Sequence, residues 1–440
     1  MPLSRLSAPY EFKLLLYGVV LADDVEKELH RFYNKTNGRG KLVFDLSDAE
    51  YIDVAALSTC ITIIGGQCKL GLASRINIPR KKSVRDFLSV WRFWQALEAV
   101  TECPYREIAF AHDQAVWSEV QTSYTGRGNG VTALEYDADW CEGSLTKRNF
   151  FEFTTFKDSA RNAISPIGTY RAAPRSESKY WTGALIREVL KRHFGGQSAR
   201  EDIARVVIYE AISNSVRHPQ ARVIQIVSKF ERPLKIEQTT SSDSDLGDDS
   251  RPTGHLRICI WDDGESISGT LRAPLLTGKS VKAFQLPPYM YDRIIVQERA
   301  FGGRFESTRV ISQSEEPSKD WDEVSLLLSS LFPGISRAWA LPVEEVEPFE
   351  DSLEGEKSAP IEWSYGMGLY SLCRTVLDQF QGSLIMRSGT VRLNMEMAHD
   401  TWRIQYSARY KCRITRYPQS VPPFNGNLLV INLPVSPEQS

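Results

Sequence analysis

Two periods of apolar residues alternate along the chain, and the switches between them mark its elements. Residues 12–20, FKLLLYGVV, form a short apolar run suited to a strand. Val25, Leu29, Phe32 and Tyr33 then recur at helical spacing within Asp23 to Tyr33. Leu42 to Leu46 predicts a buried strand. Asp53 is placed to cap a helix running from about Ala55 to Ile64, which Gly65 and Gly66 are expected to stop. ASRINIP reads as a strand ended by Pro79. Val84, Phe87, Leu88, Trp91, Trp94 and Leu97 predict one continuous helix face. Strands alternating with helices make residues 1–105 a small α/β domain.

Residues 106–178 read as a connector, with VTALEY and NFFEFTTF as strand candidates. From Tyr180 the pattern sharpens. WTGALIREVLKRHF is an amphipathic helix stopped by Gly195 and Gly196. SAREDIARVVIYEAISNSVRHP is a second, capped by Ser198 and ended by Pro219. ARVIQIVSKF and HLRICIW are strands separated by a polar, turn-rich segment. Residues 265–363 form a long insertion that includes the apolar stretch VSLLLSSLF. GMGLYSLCRTVLDQFQG is a Gly-rich turn feeding a helix, and SLIMRS and NLLVINLP are closing strands.

Length and composition narrow the classes. A chain of 440 residues exceeds one ordinary domain, and 42% hydrophobic with 25% charged residues is a globular balance. A formal net charge of −2 provides no global basic field for nucleic acid or anionic lipid. Seven cysteines without a C-x-x-C pair argue against a disulfide framework or a zinc site. No apolar run reaches the roughly 18 residues that span a bilayer. MPLSRLSAPYEFKLLL has no signal-peptide core. A soluble, cytoplasmic protein is expected.

Three segments carry candidate chemistry. Glu210, Asn214 and His218 stand at i, i+4 and i+8 and share one helix face. Asp262-Asp263-Gly264 follows an apolar strand. Gly366-Met367-Gly368-Leu369 opens a helix, where glycine lets backbone approach a ligand and the helix N-terminus favours phosphate. Taken singly, each also reads as a solvated stripe, a turn or a loop. APLLTGKS at 273–280 imitates a phosphate-binding loop, but no strand leads into it and Pro274 intrudes.

In order, the polar-faced helix EAISNSVRH, the strand ending in DDGES, the helix opening with GMGL and the strand QGSLIMRS resemble the GHKL ATPases. That family includes histidine-kinase catalytic domains, MutL, gyrase-type topoisomerases, MORC proteins, heat-shock chaperones and anti-sigma-factor kinases. Ser266 stands where the D-x-G-x-G motif has its last glycine. The resemblance covers about residues 180–435 and implies an α/β sandwich over 179–440, with 265–363 as an ATP lid. It implies Mg²⁺ on Asn214 and Glu210 as the base that activates water. Asp262 would accept the adenine amino group, with Gly264 leaving room for the ring and Ser388 on the strand behind. Gly366, Gly368 and Leu369 would line the phosphates, and His218 is placed for a phosphate or helix-end contact.

VFDLSDAEYIDVAAL resembles the core of a STAS domain, the anti-sigma-antagonist fold. The family's phosphorylated position corresponds here to Val54, which has no hydroxyl, so a docking role through the helix after Asp53 is expected. Together these resemblances imply an Mg²⁺-dependent ATPase whose nucleotide state changes contacts with a protein partner or a second copy. The alternatives are a serine/threonine kinase of the anti-sigma type acting on a STAS partner, and a non-hydrolysing nucleotide-sensing scaffold.

Overall fold

The computed structural model describes residues 11–36, 40–69, 74–90, 93–125, 150–157, 223–231, 254–281, 293–311, 317–333, 335, 368–398, 403, 405, 407–418 and 424–435. Within them the chain is mixed α/β, with both parallel and antiparallel strand pairs.

The first unit begins with β1 (Glu11–Leu15), β2 (Gly18–Val20), α1 (Ala22–Thr36), β3 (Lys41–Asp45) and β4 (Ala49–Ile52). It continues through α2 (Val54–Lys69), β5 (Ser74–Asn77), α3 (Lys82–Val90), α4 (Phe93–Thr101), α5 (Tyr105–Ile108), β6 (Ala109–Phe110) and α6 (Gln114–Thr125). A parallel sheet runs β1-β3-β5-β6, and β2 pairs with β4. The apolar run at 12–20 is therefore two strands in two sheets. The single helix expected over 84–97 is likewise two. α3 packs on β4 and α6, while α4 packs on α2 and the second sheet, and one straight helix cannot face both. The unit also extends beyond 105. β6 adds to the sheet edge, and α6 is tied to α3 by Arg85 and Glu119 at 2.6 Å.

The second unit holds β7 (Phe150–Lys157), β8 (Val223–Glu231), β9 (Gly254–Asp262), α7 (Ile267–Leu276), β10 (Ile294–Ala300), β11 (Ser307–Ile311) and α8 (Glu323–Ser329). Then come α9 (Gly368–Arg374), which runs into a π-helical turn at Thr375–Gln379, β12 (Ser383–Gly389), β13 (Val391–Met397), β14 (Tyr410–Arg416) and β15 (Phe424–Val435). One sheet runs β11-β10-β14-β13-β12-β15-β9-β8-β7. Its pairs are antiparallel except β10 with β14. NFFEFTTF, in the expected connector, is its edge strand β7; VTALEY lies outside the described residues, as do both helices expected between 180 and 219.

Side chains alternate across this sheet because strand periodicity is two. Leu256, Ile258 and Ile260 face a core with α8, α9 and the π turn. Cys259 and Trp261 face the opposite way, into a core shared with α1, α2 and α4 of the first unit. The described parts of 265–363 are built into this fold: Ile294 and Val296 of β10 and Val324, Leu327 and Leu328 of α8 are core residues.

α2 lies between the two sheets. The glycines expected to stop it sit inside it instead. A Cβ at Gly65 would overlap the Cγ1 of Val100, so the glycine is what lets α2 and α4 approach. Gly65→Val is expected to lower unfolding free energy by roughly 1–3 kcal/mol, the range for overpacking a closed core. Urea denaturation of the full chain measures it, and an unchanged midpoint would show that this helix contact is slack.

Candidate functional site

β9 delivers Asp262 to the end of the second sheet. In the strand register Asp262 lies opposite Asn427 of β15, and Asn427 lies opposite Ser388 of β12. Directly paired residues project from the same face, so the three side chains form one polar row across three strands. Asp262 is 3% exposed and Ser388 2%.

The row is closely hydrogen-bonded. Asn427 Nδ2 donates to Asp262 Oδ1 at 3.0 Å and to the Glu265 carbonyl at 2.9 Å. Ser388 Oγ donates to Asn427 Oδ1 at 2.7 Å. The backbone N–H of Ile267 reaches Ser388 Oγ at 2.9 Å and Asn427 Oδ1 at 3.2 Å. The N–H of Gly264 reaches Asp262 Oδ1 at 3.1 Å. Asn427, half-buried between the buried Asp262 and Ser388, thereby uses both donors and its acceptor.

The same groups close the N-terminus of α7. The opening amides of a helix lack intrahelical acceptors. Here Ile267 is served by the row, and Gly269 donates to Ser266 Oγ at 3.1 Å. Ser266, the departure from D-x-G-x-G, is the N-cap of α7. The imitation phosphate loop at 273–280 finishes this helix instead of opening one. Gly278 donates to the Leu275 carbonyl and Lys279 to that of Pro274, each at 3.1 Å.

A second carboxylate supports the row from behind. Glu323, in the first turn of α8, accepts from the Thr390 N–H at 3.1 Å and from Ser268 Oγ at 3.2 Å, and its other oxygen meets the Thr390 hydroxyl. The β12–β13 turn, two residues beyond Ser388, is thus fastened to α8 by Thr390, and the same Glu323 reaches α7 through Ser268. Gly426 passes the other end of the row at φ +89, and a Cβ there would overlap the carbonyl oxygen of Asp262. Only glycine combines that backbone with that approach.

Of the residues singled out from the sequence, the structure brings Asp262, Gly264 and Ser388 together. Gly368 opens α9, and Leu369 packs against the core on the sheet's α8–α9 side. Glu210, Asn214, His218 and Gly366 lie outside the described residues. Among the described residues no group of three or more histidine, cysteine, aspartate or glutamate side chains is placed to hold a metal, and no helix is long and apolar enough to cross a membrane. Asn427 and Glu323 were not foreseen. Asn427 is 165 residues from Asp262 in sequence, and only the polar position it occupies at the head of the apolar stretch NLLVINLP marks it.

The helix after Asp53 also differs from expectation. Asp53 Oδ1 caps α2 through the Ala56 N–H at 2.8 Å, and Oδ2 pairs with Arg257 of β9 at 3.2 Å. The residues of α2 from Val54 to Ile64 are buried. This helix docks on the chain's own second sheet, so its surface is not open to another protein.

Comparison of the chain with protein-family models, with curated proteins and with solved structures gives no match. Asn427→Ala should remove four hydrogen bonds and leave the buried Ser388 hydroxyl without its acceptor. A loss of about 1–3 kcal/mol is expected in chemical denaturation. A loss well under ~1 kcal/mol would mean that solvent replaces the carboxamide and that the row is not closed.

Proposed function

We propose that the second unit binds Mg-ATP in the GHKL manner and hydrolyses it, and that the nucleotide state changes contacts with a protein partner or a second copy of the chain. One observation supports this reading most: a buried carboxylate, Asp262, ends a central strand, is followed by Gly264, and is oriented by Asn427 and Ser388 at the mouth of a helix N-terminus. An oriented carboxylate is suited to accept from the exocyclic amino group of a purine, and the start of α9 at Gly368, where the resemblance puts the phosphates, to negative charge. The metal-binding role of Asn214 and the base role of Glu210 are what the resemblance of EAISNSVRH to the GHKL helix implies. An amide oxygen suits Mg²⁺, and a carboxylate one turn earlier is suited to take a proton from attacking water.

A second reading has its own support. The row also caps α7, so its hydrogen bonds serve the fold whether or not phosphate is cleaved. In that reading the unit is a nucleotide-sensing scaffold without turnover.

Asp262→Ala should weaken Mg-ATP binding at least ~10-fold, since a hydrogen bond to a charged group is worth about 1.5–3 kcal/mol. Calorimetric titration of the full chain reads this, and unchanged affinity in a folded variant would refute the adenine role of Asp262.

Hydrolysis is separated from sensing by Glu210→Ala. Binding should persist, while release of labelled phosphate from γ-labelled ATP falls by about 10²–10⁴-fold. No release from the parent chain, with binding intact, would favour the scaffold. Label retained on protein would favour a kinase.

A further inference from the structure

The rows of the second sheet alternate in face, and two adjacent rows have opposite duties. Asp262, Asn427 and Ser388 form one row; Trp261, Leu428 and Arg387 form the next. The second row faces the first unit, where Trp261 and Leu428 join the shared core. Arg387 and Ser388 are consecutive residues of β12, so neither moves without the other.

Arg387 is held tightly. Its guanidinium lies 3.7 Å from the Tyr417 ring centroid, donates to the Val391 carbonyl at 3.2 Å and also meets the Gly389 carbonyl. Its Nε donates to Glu26 Oε1 of α1 at 3.3 Å, with both side chains nearly wholly buried. Glu26 Oε2 also faces Arg392 of β13 at 3.4 Å, and Arg392 pairs with Asp23 at 2.5 Å. The acidic end of α1 therefore grips both strands of the β12–β13 hairpin. Glu323 grips its turn from the opposite face. Burial pulls the Arg387 guanidinium down to about 10, and Glu26 opposes that fall, so the arginine stays charged at neutral pH.

We propose that Glu26, in the first unit, is a positioning residue for the nucleotide site: through Arg387 it sets where β12 places Ser388, and through Ser388 and Asn427 it sets the carboxylate of Asp262. This rests on the nucleotide reading given above. A carboxylate in the first unit thus tunes a site in the second without touching the ligand. Changes transmitted to α1 would alter nucleotide affinity, and nucleotide would alter α1 to the same degree, because coupling free energies are reciprocal.

The test uses the full chain, Mg-ATP as the probe and calorimetry as the readout. Glu26→Gln keeps the shape of the side chain and leaves Arg387 buried without its carboxylate. Affinity should fall roughly 3- to 30-fold, the span found for substitutions that act between sites. Glu26→Gln combined with Arg387→Met should bind no more weakly than the worse single variant, because both act along one path and their effects do not add. Glu28→Gln, on the same helix but paired with Arg31, should bind like the parent. Thermal midpoints are measured separately, since a purely structural ion pair would lower the midpoint and leave the affinity of the folded protein alone. Should Glu26→Gln not fold, Asp23→Asn, at the more exposed end of the same cluster, provides the test with a smaller shift expected. Parent-like affinity in a folded Glu26→Gln or Asp23→Asn, or additive losses in the double variant, overturns the proposal. No binding by the parent chain refutes the nucleotide reading itself, and this proposal with it.

Discussion

Helix α2 has no polar face, and the architecture follows from covering it on all sides. Ser58, Thr59 and Thr62 would be liabilities in such a helix, but each hydroxyl donates to the carbonyl four residues earlier, at 3.0, 2.8 and 2.8 Å. The helix thus presents an apolar surface all round, which is stable only when buried. The parallel sheet of the first unit covers one side; β8, β9 and β15 cover the other. Without the second sheet, the first unit would expose much of α2. Without α2, the second sheet would expose Trp261, Leu428 and Val430. Each fully buried side chain of this size contributes about 1.5–3 kcal/mol, so the joint between the units is held mainly by apolar burial.

The ionic contacts across that joint have a different role. Burying Arg387 and Glu26 costs desolvation that their attraction only partly returns, so the pair is weak evidence of added stability. Its value is positional. Apolar surfaces tolerate sliding, whereas Arg387 with Glu26, Arg392 with Asp23, and Arg257 with Asp53 allow one register of α1 and α2 on the sheet.

What the sequence made legible follows from how local each signal was. β8, β9, β12 and β15 are long apolar runs and were visible; so were Asp262 with Gly264, which follow such a run directly. β13 and β14 were missed because VRLNMEM and YKCRITR place polar side chains on one face and interrupt the apolar count. β6, with two residues, has no period to detect. Gly65 and Gly66 look like a stop signal in sequence, and only the approach of Val100 shows why they stand inside a helix. Asn427 and Glu323 make contacts with residues 165 and 67 positions away, and no spacing rule reaches that far.

Ser266 has a structural role of its own at the end of the Asp262 turn. A glycine there would leave the start of α7 without its side-chain cap. With serine, the helix begins immediately after the D-x-G turn, and the row formed by Asp262, Asn427 and Ser388 becomes part of its N-terminal hydrogen bonding. A ligand that recruits Asp262 or Ser388 must redistribute bonds that now hold Ile267. α7 is therefore the first element to feel occupancy of this row, and it is also the first element of residues 265–363. Leu271 and Leu275 of α7 pack against Leu326 of α8. The helix cannot shift alone, and its displacement passes to α8, whose Glu323 holds the β12–β13 turn. The path returns to Ser388. This closed loop of contacts makes the site resist small, independent motions and favours concerted ones.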